Sequence, residues 1–245
     1  MSHIVVIPAR YKSSRLPGKP LIKIQGKEML LRTYEQCLKV EKKTNIIIAT
    51  DDDQIENFCI NNNLPVIKTS SECETGTDRV AEVAKIIKRD HYINVQGDEP
   101  VFNPNDLTLL IKSINSYPAL VLNGYTEIST EKDFFSSHTP KVVFNSDNNL
   151  LYMSRAAIPG NKDQRFNIGF RQICLYAFPR DILIQNFSSN SNPKRDLERI
   201  EDIEILRFIE NGIPVKMLAM SNQSIPVDTP EDLDRVNKYL QDLRG

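Results

Sequence analysis

An alternation of short β-branched runs with longer amphipathic stretches narrows the possible folds of this chain more than any other feature. Residues 4–7, 45–50, 65–68 and 92–96 read as strands. Between them, 29–40 places Leu30, Tyr34, Cys37 and Leu38 on one helical face, 52–61 reads as a second helix, and 77–88 carries Val80, Val83, Ala84 and Ile87 at helical spacing. Strand–helix alternation of this kind implies a parallel sheet with helices on both faces. Ligands of such sheets sit beyond the carboxyl ends of the strands, which selects the segments after residues 7, 68 and 96.

From about 120 to 178 the pattern changes to short strand-like runs at 120–125, 141–144, 150–154 and 173–178, separated by polar loops. They suggest an antiparallel extension inserted in one α/β domain that spans 1–245. Helices return at 181–187, 197–210 and 230–243, the last announced by Asp228-Thr229 before a first-turn Pro230. The Asn-, Ser- and Pro-containing run at 187–195 is expected to be the most mobile connection.

Charge excludes several functions. Lys and Arg total 31 against 32 for Asp and Glu, a net charge of -1, so no basic field exists to hold nucleic acid or an anionic membrane. The apolar runs fall far short of a bilayer span, and no basic leader with a long apolar core opens the chain, so a cytoplasmic location is expected. Cys37, Cys59, Cys73 and Cys174 lack metal-site spacing and are expected to be reduced thiols.

Directly after the first strand, Pro8-Ala9-Arg10-Tyr11-Lys12-Ser13-Ser14-Arg15-Leu16-Pro17-Gly18-Lys19-Pro20 gathers Arg10, Lys12, Arg15 and Lys19 in one loop. Polyphosphates need such a surface, because backbone N–H groups and fixed cations must replace water around several anionic oxygens. The loop is neither a Walker A sequence nor a GxGxxG turn. Glycine is scarce, nine in 245 residues, yet Gly18, Gly76 and Gly97 all lie in candidate ligand loops, where close backbone approach to a ligand would explain them.

These residues resemble the signature of the 3-deoxy-manno-octulosonate cytidylyltransferases, the CMP-KDO synthetases. The resemblance runs from Ile7-Pro8-Ala9-Arg10 and Arg15-Leu16-Pro17-Gly18-Lys19-Pro20 through Thr75-Gly76-Thr77-Asp78-Arg79 and Asn94-Val95-Gln96-Gly97-Asp98-Glu99-Pro100. It continues with Leu151-Tyr152-Met153-Ser154-Arg155 and Val227-Asp228-Thr229-Pro230. It implies a Rossmann-like, GT-A-like nucleotidyltransferase sheet with an inserted antiparallel sub-domain at about 120–178 that forms a homodimer. It further implies transfer of CMP from CTP to the anomeric hydroxyl of an acidic 2-keto-3-deoxy sugar, with Mg2+ as cofactor.

Residue by residue, the resemblance assigns Arg10, Lys19 and Asp98 to catalysis. Pro8, Ala9, Arg10, Arg15, Lys19, Thr75, Gly76, Thr77, Arg79, Gln96 and Asp98 would bind the nucleotide. Asp98 and Asp228 would share the metal, which prefers hard carboxylate oxygens with phosphate completing its shell. Simpler readings stand beside these: Thr75 or Thr77 as a helix cap, Asp98 as a turn residue, Asp228 as an N-cap, and Asp51 to Asp53 as helix-start residues.

Arg155, Arg171, Gln172, Tyr176 and Glu204 are the candidate sugar contacts. Here the chain departs from the family pattern. Gln172 stands where a histidine is usual, and Ile205 where a glutamine is usual. Either a sugar hydroxyl loses a partner, which would favour a modified acceptor such as 8-amino-KDO, or Gln172 substitutes for the imidazole and Ile205 faces the core. A CTP-binding regulatory protein without turnover is the alternative of another class.

Overall fold

The computed structural model describes residues 1–11, 16–187 and 193–243. Arg15, Lys12 and most of the run expected to be mobile therefore lie outside the described residues. β1 (His3–Pro8) runs into the cationic loop, which ends in a 3-10 turn at Lys19–Leu21 and a small hairpin of β2 (Lys23–Ile24) and β3 (Lys27–Glu28). Then come α1 (Met29–Leu38), β4 (Ile46–Thr50), α2 (Asp53–Asn61), β5 (Val66–Lys68), α3 (Gly76–Ile86) and β6 (His91–Val95). α4 (Pro104–Ser116), β7 (Val121–Glu127), α5 (Glu131–Phe135), β8 (Lys141–Phe144), β9 (Leu150–Ser154) and β10 (Phe170–Pro179) follow. The chain closes with α6 (Arg180–Asn186), α7 (Asp196–Glu201), α8 (Leu206–Glu210), β11 (Val215–Ala219) and α9 (Pro230–Asp242).

One sheet runs through the molecule in the order β11-β7-β10-β6-β1-β4-β5. β1, β4, β5 and β6 are mutually parallel, as are β7 and β11, while β10 enters antiparallel between β6 and β7. Both faces are covered, and β1 shows why its sequence reads as an unbroken apolar run. Ile4 and Val6 pack into one core with Val80, Val83 and Ala84 of α3, whereas Val5 and Ile7 pack into the other with Leu30, Tyr34 and Cys37 of α1. A third cluster joins Ile24 and Met29 to Val227 and to Val236 of α9. It seats the last helix beside the cationic loop.

The alternation read from the sequence is present through β6. Leu38 is 41% exposed and does not join the face assigned to it. The expected helix at 197–210 is two short helices, because Asp202 adopts a left-handed conformation at φ 51 and turns the chain between α7 and α8. Within 120–178, β7 and β10 belong to the central sheet, and only β8 and β9 lie off its main path. No helix among the described residues is long and apolar enough to cross a membrane.

Candidate active site

The carboxyl ends of β1 and β6, the N-terminus of α3, the start of β10 and the segment before α9 enclose a cleft of about 970 Å³. Pro8, Ala9, Arg10, Lys19, Thr75, Gly76, Arg79, Gln96 and Asp98 line it, as do Arg155, Arg171, Gln172, Tyr176, Glu204 and Asp228. Thr77 is buried and does not.

Lys19 stands at the centre of the acid pair. Its Nζ donates to Asp98 Oδ2 at 2.6 Å and to Asp228 Oδ1 at 2.8 Å. Two carboxylates from distant parts of the chain thus converge on one nitrogen. Burial alone would lower the Lys19 pKa, but the charges of Asp98 and Asp228 outweigh it and hold the ammonium above its ordinary value. The N-cap of α9 is Thr229, which forms a capping box with Asp232, so the cap is not Asp228.

The two loops that carry these acids and cations are pressed together. A Cβ on Gly97 would come within 2.9 Å of the Pro8 carbonyl oxygen, and one on Gly76 within 2.9 Å of the Gln96 amide. Backbone packing accounts for Gly97, whereas at Gly76 the neighbour is the flexible end of the Gln96 side chain. Gly18 has a different reason, since its φ of +67 is left-handed and sets up the turn that presents Lys19.

At the α3 end, Thr75 is the N-cap and shares a capping box with Asp78, as its simpler reading predicts. Glu204 reaches the same helix start: its carboxylate accepts from Gly76 N at 3.1 Å, from Thr77 N at 2.9 Å and from the Thr77 hydroxyl. Burial raises the Glu204 pKa, opposed by these bonds. Behind it, Arg207 makes a two-point contact with Glu198 at 2.5 and 2.7 Å, reaches Asp78 at 3.1 Å and lies over the Phe187 ring. Arg79 is buried and pairs with Asp51 at 2.9 Å. Asp52 caps α2, and Asp53 pairs with Lys68.

At the opposite end, Arg155 donates from Nε to the Glu201 carbonyl at 2.5 Å, from Nη1 to that of Ser137 at 3.0 Å and from Nη2 to that of Asp202 at 2.9 Å. Arg171 bonds Asn222 and the Ser224 carbonyl, and its pKa is lowered by burial. Gln172 donates to Asn123 at 3.2 Å. Burial pushes the Tyr176 hydroxyl well above its ordinary range. Ile205 is 1% exposed inside the core, so it takes the core-facing reading.

Two further participants lie outside the candidate site residues: Glu99, which follows Asp98 in its motif, and Lys141, which gave no signal beyond its strand. Glu99 is buried against the Ser224 hydroxyl, and its burial pushes the carboxyl up to about 7. Lys141 is fully buried with its Nζ on the carbonyls of Ser136 at 2.7 Å and Arg155 at 2.6 Å; desolvation lowers its pKa to about 8. It braces the backbone behind Arg155. Among the described residues no three His, Cys, Asp or Glu side chains gather as a ready metal cage; Asp98 and Asp228 are the two acids of the cleft that meet at Lys19.

Similarity to known proteins extends along nearly the whole chain. A cytidylyltransferase family model matches residues 4–225. The 3-deoxy-manno-octulosonate cytidylyltransferase of Protochlamydia amoebophila is 38% identical, covering 97% of this chain and 93% of that protein. The Escherichia coli protein of the same name is 36% identical over 97% of this chain and 95% of its own. The solved structure of a CMP:2-keto-3-deoxy-manno-octonic acid synthetase complexed with CTP superposes with a TM-score of 0.89 at 36% identity, covering 99% of this chain and 100% of that one. By sequence along its whole length and by fold, the chain belongs to the cytidylyltransferase family and, within it, to the 3-deoxy-manno-octulosonate cytidylyltransferases.

Proposed function

We propose that this chain transfers CMP from CTP to the anomeric hydroxyl of 3-deoxy-manno-octulosonate, releasing pyrophosphate. The observation that carries the reading is the convergence of Asp98 and Asp228 on Lys19, in a cleft that also holds Arg10 and the α3 N-terminus.

Arg10 and Lys19 supply fixed positive charge for the triphosphate, with Lys19 nearest the α-phosphate, where negative charge shifts during transfer. Arg15 belongs to the same cationic loop. Pro8, Ala9 and Gln96 shape the nucleotide end, and the loop at Thr75 and Gly76, whose N–H groups are held by Asp78 and Glu204, would face the base. The donor set of Asp98 and Asp228, two hard carboxylates beside a phosphate surface, suits Mg2+ better than a softer ion. Bound there, the ion would neutralise phosphate charge and acidify the attacking hydroxyl. The protein's share is positioning: the hydroxyl oxygen bonds to the α-phosphorus as the bridge to the β-phosphate breaks, and the hydroxyl proton passes to solvent.

Arg155, Arg171, Gln172 and Tyr176 also line the cleft and are read as contacts for the acidic sugar, which Glu204 would meet from the α3 side. The core position of Ile205 removes one reason for a modified acceptor. We read the β8–β9 hairpin, where Leu151 is 57% exposed, as part of a homodimer surface, and the cytoplasm, where CTP is made, as the working compartment. A matrix of nucleotides against ulosonic acids, read by mass spectrometry, tests the activity. CMP-KDO from CTP plus KDO supports it; no product, or a clear preference for an amino-substituted acceptor, overturns it.

A further inference from the structure

Lys19 occupies the position that a shared metal ion would need. Its nitrogen lies 2.6 Å from one oxygen of Asp98 and 2.8 Å from one of Asp228, and the side chain is 14% exposed. A magnesium-sized ion held by both acids would stand about 2.1 Å from an oxygen of each. The ammonium group is bonded to one oxygen of each acid and so takes up space that such an ion would need. Two cations at such separation in a half-desolvated site repel strongly, so occupancy is exclusive.

The backbone determines which part can yield. Lys19 N donates to Leu16 O at 3.1 Å, Gly18 holds the left-handed turn before it, and Pro20 after it is buried. The main chain is therefore fixed, while the side chain can swing on its own torsions into the cleft. Leaving the acids costs Lys19 two charge-assisted bonds, and only a comparable anion in the cleft would replace them.

We propose that Lys19 is a tethered counter-ion that competes with the divalent cation for the place between Asp98 and Asp228, so that the metal enters together with a phosphate that draws the lysine away. The inference rests on the reading of Asp98 and Asp228 as the metal ligands. It adds to the phosphate role of Lys19 a second one, ordering the arrival of metal and nucleotide.

The test is Mn2+ binding to the full chain, measured by the loss of the free-ion EPR signal, without nucleotide and with CTP but no sugar, the latter taken as the loss beyond that caused by the same CTP without protein. Wild type, Lys19→Met, Lys19→Gln and Lys19→Arg are compared. Without CTP, the two neutral variants are expected to bind Mn2+ at least about tenfold more tightly than wild type, with Lys19→Arg as weak as wild type. CTP should tighten wild type more than the neutral variants. A parallel melting series guards against misfolding: Mn2+ should raise the melting temperature of Lys19→Met more than that of wild type. Equal or weaker Mn2+ binding by folded neutral variants overturns the competition. Failure of wild type to bind Mn2+ even with CTP, or unchanged binding in Asp98→Asn/Lys19→Met, instead overturns the metal reading beneath it.

Discussion

Glu204 accepts the backbone N–H of Thr77 at 2.9 Å across 127 residues of sequence, so a residue expected to touch the sugar also finishes the first turn of the helix that faces the nucleotide. The bond ties the corner between α7 and α8 to α3. Because burial raises the Glu204 pKa from 4.5, folding favours its neutral form, and the stability it contributes falls as pH rises through that range. Glu204→Gln should therefore gain in melting temperature relative to wild type as pH increases from about 4 to 8. Glu204→Ala, which leaves the Gly76 and Thr77 N–H groups without their side-chain acceptor, should lose about 1 kcal/mol. Melting curves of both variants against pH check this.

Arg207 and Glu198 are buried partners behind the same corner, 2% and 1% exposed. Removing Arg207 strands the carboxylates of both Glu198 and Asp78, whereas removing Glu198 leaves Arg207 its Asp78 partner. Arg207→Met should cost about 3 to 5 kcal/mol, Glu198→Gln less, and the double variant less than their sum. Urea denaturation of the four proteins measures the coupling.

Gly97→Ala places a methyl group 2.9 Å from the Pro8 carbonyl oxygen, and backbone cannot step aside as a flexible side chain would. A loss of about 1 to 3 kcal/mol is expected, with a raised KM for CTP because the loops carrying Arg10 and Asp98 are wedged apart. Gly160→Ala meets nothing nearer than 3.8 Å and should be neutral in both readouts.

Much of this arrangement was legible in the sequence, and the exceptions have physical causes. The β1–β6 half could be read because its strands are buried on both faces and its helices show one apolar stripe. α4 was missed although its signals were present: Asn103 caps it, Pro104 is its first residue, and Leu107, Leu110 and Ile114 are buried at helical spacing. The break at Asp202 was invisible because no glycine marks its positive φ. β11 is five residues long and takes its place by pairing with β7, a contact no local pattern contains. In the site, the cationic loop and both acids are legible in the sequence. Their union through Lys19 is not, since it depends on α9 folding back over the first hairpin.

Lys141 gives a pH test of the acceptor side. A lysine whose pKa falls on folding to about 8 from 10.5 leaves the unfolded chain with more bound protons between those values, so stability rises with pH across that window. The urea stability of wild type minus that of Lys141→Met should rise by on the order of 2 kcal/mol from pH 8 to pH 10. Taking the difference removes the opposing effect of buried thiols such as Cys73, whose pKa is pushed up to about 12.

The most direct measurement of the central claim is pyrophosphate release from CTP with KDO by wild type, Asp98→Asn and Asp228→Asn, with CMP-KDO identified by mass. The acids that meet at Lys19 are expected to be indispensable: wild type makes the product, and each variant, folded by circular dichroism, loses at least about a hundredfold in kcat. Either folded variant turning over at close to the wild-type rate would contradict the account.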